Sequence, residues 1–271
     1  MIRAPFRFWY SLRCVEEKRK DRREKLRIKR KILIFGVAAA IAAVAVVCLF
    51  SYFGGDPGIA IAGREITKEE YIHCMNGQKY ETTVRLQQEY GVDSSDEKYW
   101  FKEIDGRALY RELADDTMGE LKYIHAVYEI AAECGYVEDA SYESMMERME
   151  AENDKRREII ESGGVVYGLS KYTPELYMNY EMSSLEDMYC ADETNEGMAL
   201  TDEEVQQYYD SKEWVVGREA ETADLDSVRT AVEEELKEKK YQELVEKRAS
   251  QLEVTGDVER MYEFVRNSLG E

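Results

Sequence analysis

RALYRELADDTMGELKYIHAVYEIAAEC, residues 107 to 134, is the stretch that decides the fold. Leu109, Leu113, Thr117, Leu121, Ile124, Tyr128 and Ala131 recur at steps of three and four, the spacing that lines side chains along one face of an α-helix. Gly135 follows, where a helix commonly closes in the left-handed conformation. The stretch reads as a long amphipathic helix with one buried stripe.

The flanking sequence reads in the same way. Upstream, residues 58 to 66 are a short apolar strand, a Gly-containing turn and a return to Ile66. Thr67-Lys68-Glu69-Glu70 is then a capping box, in which the Thr hydroxyl and the Glu carboxylate satisfy free amides at a helix start. The helix after it runs to about Tyr90, with Ile72, Met75, Leu86 and Tyr90 as its stripe and Gly77 as an interruption.

Downstream, residues 140 to 162 carry Tyr142, Met145, Met149 and Ile159 on one side and end at Gly163-Gly164. Thr173-Pro174 opens a fourth helix, with Thr as cap and Pro at the first helical position, passing through Leu176, Tyr180 and Met188. Thr201-Asp202-Glu203-Glu204 is a second capping box before a short helix with Tyr208 and Tyr209. Residues 212 to 224 read as a linker, and residues 226 to 252 as a long helix with Val228, Val232, Leu236, Leu244 and Val245 inward. Residues 252 to 254 suggest a strand, and Asp257 a cap for a last helix with Met261, Phe264 and Val265. Pro occurs three times in 271 residues and alternating patterns are scarce, so the fold class is mainly α with minor short strands.

Charge divides the chain. Residues 1 to 31 hold 13 Lys+Arg against 4 Asp+Glu, whereas residues 54 to 271 hold 24 against 53. Residues 32 to 53 between them carry no charge and as a helix would be about 33 Å long, enough for a transmembrane helix. The expected domains are a basic cytoplasmic segment (1–31), a transmembrane helix (32–53) and an extracytoplasmic domain (54–271), oriented by the cations that precede the span. This argues against an ordinary soluble protein and against a multi-span transporter. A cleaved signal peptide fits less well, because its apolar core is typically about 7 to 15 residues. The basic run is better explained as a membrane flank than as a nucleic-acid patch.

A resemblance arises from several of these pieces together. Residues 61 to 71 (IAGREITKEEY), 131 to 136 (AAECGY), 165 to 168 (VVYG) and 200 to 209 (LTDEEVQQYY), with a closing long helix, resemble the N-terminal chaperone module of SurA- and PrsA-type extracytoplasmic foldases. In those foldases a parvulin prolyl-isomerase domain precedes the long C-terminal helix; here that interval is residues 212 to 224, too short for a domain, and the chain has only His73 and His125. The resemblance therefore implies the chaperone module without the catalyst. It also implies that the long helix packs on the N-terminal helices and that the two short strands pair.

The residues offer no set that invites catalysis. His73 and Cys74 are adjacent and, on a helix, point about 100° apart; Ser94-Ser95 and Ser183-Ser184 lack a neighbouring His or a nucleophile elbow. Cys74, Cys134 and Cys190 have no metal-ligand spacing and read as thiols or at most one disulfide. No catalytic, cofactor-binding or metal-binding residue is assigned. Residues 54 to 271 do hold 18 of the 20 tyrosines and 10 of the 11 methionines. Tyr177, Met178, Tyr180 and Met182, with Met145 and Met149, are the candidate client-contact residues, since Met adapts to irregular partners and Tyr joins apolar area to a polar tip; a loosely packed core is the other use for them.

The expected function is a non-catalytic, membrane-anchored chaperone that binds unfolded or extended exported polypeptides, located in the cell membrane with its C-terminal domain outside and no nucleic-acid partner. The alternatives are a divergent peptidyl-prolyl isomerase and an envelope adaptor.

Overall fold

The computed structural model describes residues 55–216 and 221–270. The chain divides into two compact units, Met1–Gly55 and Asp56–Glu271, and the described residues fall almost wholly in the second. Among the described residues the seven α-helices are α1 (Lys68–Tyr90), α2 (Leu109–Glu133), α3 (Tyr142–Glu161), α4 (Pro174–Ala191), α5 (Asp202–Asp210), α6 (Leu225–Gln251) and α7 (Val258–Gly270).

α2 is the axis of the domain. Leu109, Leu113, Leu121, Ile124, Tyr128 and Ala131 are buried along its stripe, and Ala114, Ala126, Val127 and Ile130 widen the buried face. α1, α4, α6 and α7 all pack on it, which accounts for so wide a buried arc. Each fully buried Leu contributes roughly 1.5–3 kcal/mol by leaving water. α5 packs on α6 over a separate small core of Val205, Ala223, Val228 and Val232, and α3 packs chiefly on α4.

A three-stranded antiparallel sheet ties the two ends of the unit together. β1 (Ile59–Ile61) lies between β2 (Arg64–Glu65) and β7 (Val254–Gly256), with Ala60 opposite Glu65 on one side and Thr255 on the other. Ala62 and Gly63 both have positive φ, so the β1–β2 turn is of the tight primed kind. Gly256 is required where it stands: φ is +114°, and a Cβ there would collide with the Gly58 carbonyl oxygen.

Several local expectations need amendment. The α2 helix starts at Leu109 because Arg107 and Ala108 form β4, paired with β3 (Glu103–Ile104) across Asp105-Gly106, another turn with two positive φ values. Residues 212 to 224 are not a plain linker: β5 (Val215–Val216) pairs with β6 (Glu221–Thr222), and Trp214 packs in the small α5–α6 core. On α1 the buried stripe is Glu70, Tyr71, Cys74, Met75, Thr82 and Leu86, with Ile72 half-buried and Tyr90 exposed. Hydropathy misplaces that face because two of its members are polar and satisfied inside, Glu70 by His125 and Thr82 by Asp116.

The expected fold class is corrected as well. Among the described residues no helix is long and apolar enough to cross a membrane, and residues 32 to 53, on which the transmembrane reading fell, lie outside the described residues. What the structure describes is a mainly helical domain with short strands, not a transmembrane helix leading a SurA-like module.

Candidate functional site

The candidate contact residues gather where α3 and α4 meet α2. Along α4 the buried positions are Tyr177, Met178, Glu181, Leu185 and Tyr189, a stripe at helical spacing. Met145 and Met149 face it from α3 and are buried too. Tyr177, Met178, Met145 and Met149 are thus core side chains. Of the six, Tyr180 is exposed and Met182 half-buried. The stretch is divided, because a stripe on one helix hides some positions and leaves Leu176, Tyr180 and Met188 outside.

The centre of this region is a carboxylate that the sequence reading passed over. Glu181 is buried, and its oxygens accept from the Tyr128 hydroxyl at 2.8 Å, the Tyr177 hydroxyl at 3.1 Å, and Arg148 Nε and Nη2 at 2.7 and 2.9 Å. Burial, and after it the Glu181 charge, push both tyrosines well above their ordinary range, so both hydroxyls keep the protons they donate. The signal for Glu181 was its place on the apolar stripe, four residues from Tyr177 and Leu185. A charge there needs partners, and the fold draws them from α2, α3 and α4 at once.

A second polar cluster lies at the start of α1. Glu70 Oε1 is 2.9 Å from His125 Nε2, and both residues are buried. The Tyr142 hydroxyl and His73 Nδ1 share a hydrogen bond; burial, followed by the Glu70 and Glu69 charges, pushes Tyr142 up to about 12. Between α1, α2 and α4 a cavity of ≈ 340 Å³ is lined by His73, Cys74, Glu81, Glu120, Glu175 and Asn179 among others. Burial, and then Glu81, raise the Glu120 carboxyl above its usual range.

Among the described residues, burial raises each thiol above its ordinary range. Burial pushes Cys74 well up, and burial with the neighbouring Glu186 brings Cys190 up to about 11, where little thiolate exists at neutral pH. Cys74, Cys134 and Cys190 are all free. Among the described residues no group of three or more His, Cys, Asp or Glu is placed to hold a metal ion. What these clusters do is pin α3 and α4 to the α1–α2 core.

No protein-family model matches the chain. The chaperone for lacto-N-biosidase of Bifidobacterium longum subsp. longum does match: it is 36% identical over 215 residues, which is 79% of this chain and 76% of that protein. The chain belongs to the family of that chaperone. Two crystal structures of the GH136 lacto-N-biosidase from Eubacterium ramulus, the native protein and its selenomethionine derivative, align with TM-scores of 0.40 at 19% and 20% identity, over 55% of this chain and 30% of theirs. A likeness that low carries no argument.

The family membership overturns the resemblance to the SurA and PrsA foldases, and with it the expectation of a membrane-anchored general foldase or a divergent prolyl isomerase. The reason is physical. Thr-x-x-Glu starts, Gly closures and Pro at the first helical turn are features that any chain needs to begin and end helices, so they recur in unrelated helical proteins. The packing of α6 on α2 and the β1–β7 pairing do not discriminate between the two families either.

Proposed function

We propose that this chain is a dedicated folding chaperone, without catalytic activity of its own, whose client is one glycoside hydrolase of the lacto-N-biosidase kind. The observation that carries the reading is the 36% identity over 215 residues to a chaperone for such an enzyme. The arrangement of the polar residues supports it: Glu181 and Glu70 are engaged in holding helices together, and burial raises the Cys74, Cys134 and Cys190 thiols above their ordinary range.

The test is co-expression. The lacto-N-biosidase served by the B. longum relative is produced alone, with this chain, and with an unrelated acidic helical protein, and hydrolysis of a chromogenic lacto-N-bioside is measured per milligram of soluble enzyme. The expected result is at least a tenfold rise with this chain only. Equal activity in all three would overturn the reading, as would hydrolysis by the purified chain alone.

A further inference from the structure

Two glutamates on the inner side of α4 are treated in opposite ways. Glu181 is buried and accepts hydrogen bonds from Tyr128 of α2, Arg148 of α3 and Tyr177 of α4. Glu186 is half-buried where α4 packs on α6, and its Oε1 is shielded from water with no hydrogen-bond partner among the described residues. An ionised oxygen in that position is costly, because a charge that leaves water needs a donor or a cation in exchange.

The groups around Glu186 supply no cation. Burial first, and then the Glu238 charge of α6, raise its carboxyl above the ordinary 4.5; Gln242 of α6 lowers it in part, and Asp187 adds to the rise. From α2 it is met by Tyr123, which also feels Glu120 and Glu246. Lys237 of α6 faces Cys190, one turn further along α4. Lys239 and Lys240 are engaged by Glu243 and Glu204. Among the described residues α1 and α3 add no charge to this set.

The rest of the contact is apolar. Leu185 and Tyr189 of α4 and Tyr241 and Val245 of α6 are buried, and the Tyr189 and Tyr241 rings lie 5.1 Å apart between centroids. One ionisable oxygen without a partner therefore sits inside a contact that otherwise closes well.

We propose that the contact between α4 and α6 is a proton-sensitive latch, closed by the protonated Glu186 side chain and loosened when Glu186 and Glu238 face each other as carboxylates. A carboxyl that holds its proton more tightly folded than unfolded contributes fully below about 4.5, and that contribution is lost as pH rises. The Glu181 bonds keep the first half of α4 on α2 and α3 in either state. Loosening is thus confined to residues 185 to 191 and the part of α6 across from them, and it uncovers Leu185, Tyr189 and Tyr241. The latch is a property of this chain alone and stands apart from the chaperone reading.

The experiment uses the full chain and follows hydrogen exchange as protection factors, in which the intrinsic pH dependence of exchange cancels. Between about pH 5 and about pH 8 the wild-type amides of residues 185 to 191 and 236 to 245 should lose protection about tenfold, while those of residues 113 to 127 in α2 keep theirs. Glu186→Gln should hold both segments at their acid level of protection at the higher pH. Glu238→Gln, at an exposed position, should recover part of it. A loss equally steep in Glu186→Gln would overturn the proposal, as would wild-type protection that does not change with pH. A loss that extends evenly through α2 would also overturn it, since the whole domain would then be weakening. If Glu186→Gln fails to fold, Glu238→Gln decides alone: a loss as steep as the wild type's rules the latch out.

Discussion

Thr67-Lys-Glu-Glu70 and Thr201-Asp-Glu-Glu204 are nearly the same four residues, and the fold uses them differently. In both, the Thr hydroxyl accepts the backbone N–H of the fourth residue at 3.2 Å. Glu204 then completes the box, accepting the Thr201 N–H at 2.9 Å, and is also held by Lys240 at 2.6 Å. Glu70 turns away from its own cap into the core, is only 5% exposed, and meets His125 of α2. The motif sets where a helix begins. What its last residue does depends on which other element lies across that helix end: α2 beside α1 in one case, the open flank of α6 beside α5 in the other.

The comparison breaks most visibly at Glu70. Glu70→Ala would leave buried His125 with no partner on Nε2, while its Nδ1 already has none. We expect a loss of about 3 kcal/mol, the range for stranding a buried polar group or one member of a buried pair. Glu204→Ala, at an exposed helix start, should cost far less. Urea denaturation of the two variants decides it. A loss below about 1 kcal/mol for Glu70→Ala would place the pair with ordinary surface pairs and dissolve the distinction.

The two threonines should behave alike where the two glutamates do not. Thr67→Ala and Thr201→Ala each remove a cap hydrogen bond of equal length, Thr201→Ala also removing the hydroxyl's exposed bond to Glu204, for an expected loss of about 1 kcal/mol apiece by the same denaturation. A much larger loss at Thr67 would mean that the cap also fixes the direction in which Glu70 enters the core.

The same contrast explains what was legible in the sequence. Helix starts at Thr67, Thr173 and Thr201, the stripe of α2 and the closure at Gly135 could be read because each depends on residues within one or two turns. Asp105-Gly106 was as legible, being a strong hairpin signal, but the helical period of the residues after it concealed two short strands. The buried faces of α1 and α4 could not be read, since Glu70, Thr82 and Glu181 count as polar until their partners 33 to 55 residues away are known. Which of the six candidate contact residues lie in the core could not be read for a related reason: Tyr and Met satisfy both a core and a binding surface, and only the packing of α3 on α4 separates Tyr177 from Tyr180. The family was not legible at all, because the motifs that suggested one are helix grammar.

The smallest effect expected is the one that pH isolates. The Lys240 ammonium, with the amide and hydroxyl of Thr201, holds the Glu204 carboxyl at about 2, below its ordinary 4.5. A carboxyl whose pKa is lower folded than unfolded binds fewer protons in the native state, so its contribution is complete above about 4.5 and is lost as pH falls toward about 2. Glu204→Gln should therefore flatten the decline of the unfolding midpoint between those two values, leaving the rest of the profile parallel to the wild type. Lys240→Met should flatten the same window, because it removes the largest cause of the depression. If Lys240→Met changes nothing while Glu204→Gln does, the capping box alone lowers this carboxyl. Glu204 would then serve only its own helix start and not the α5–α6 contact.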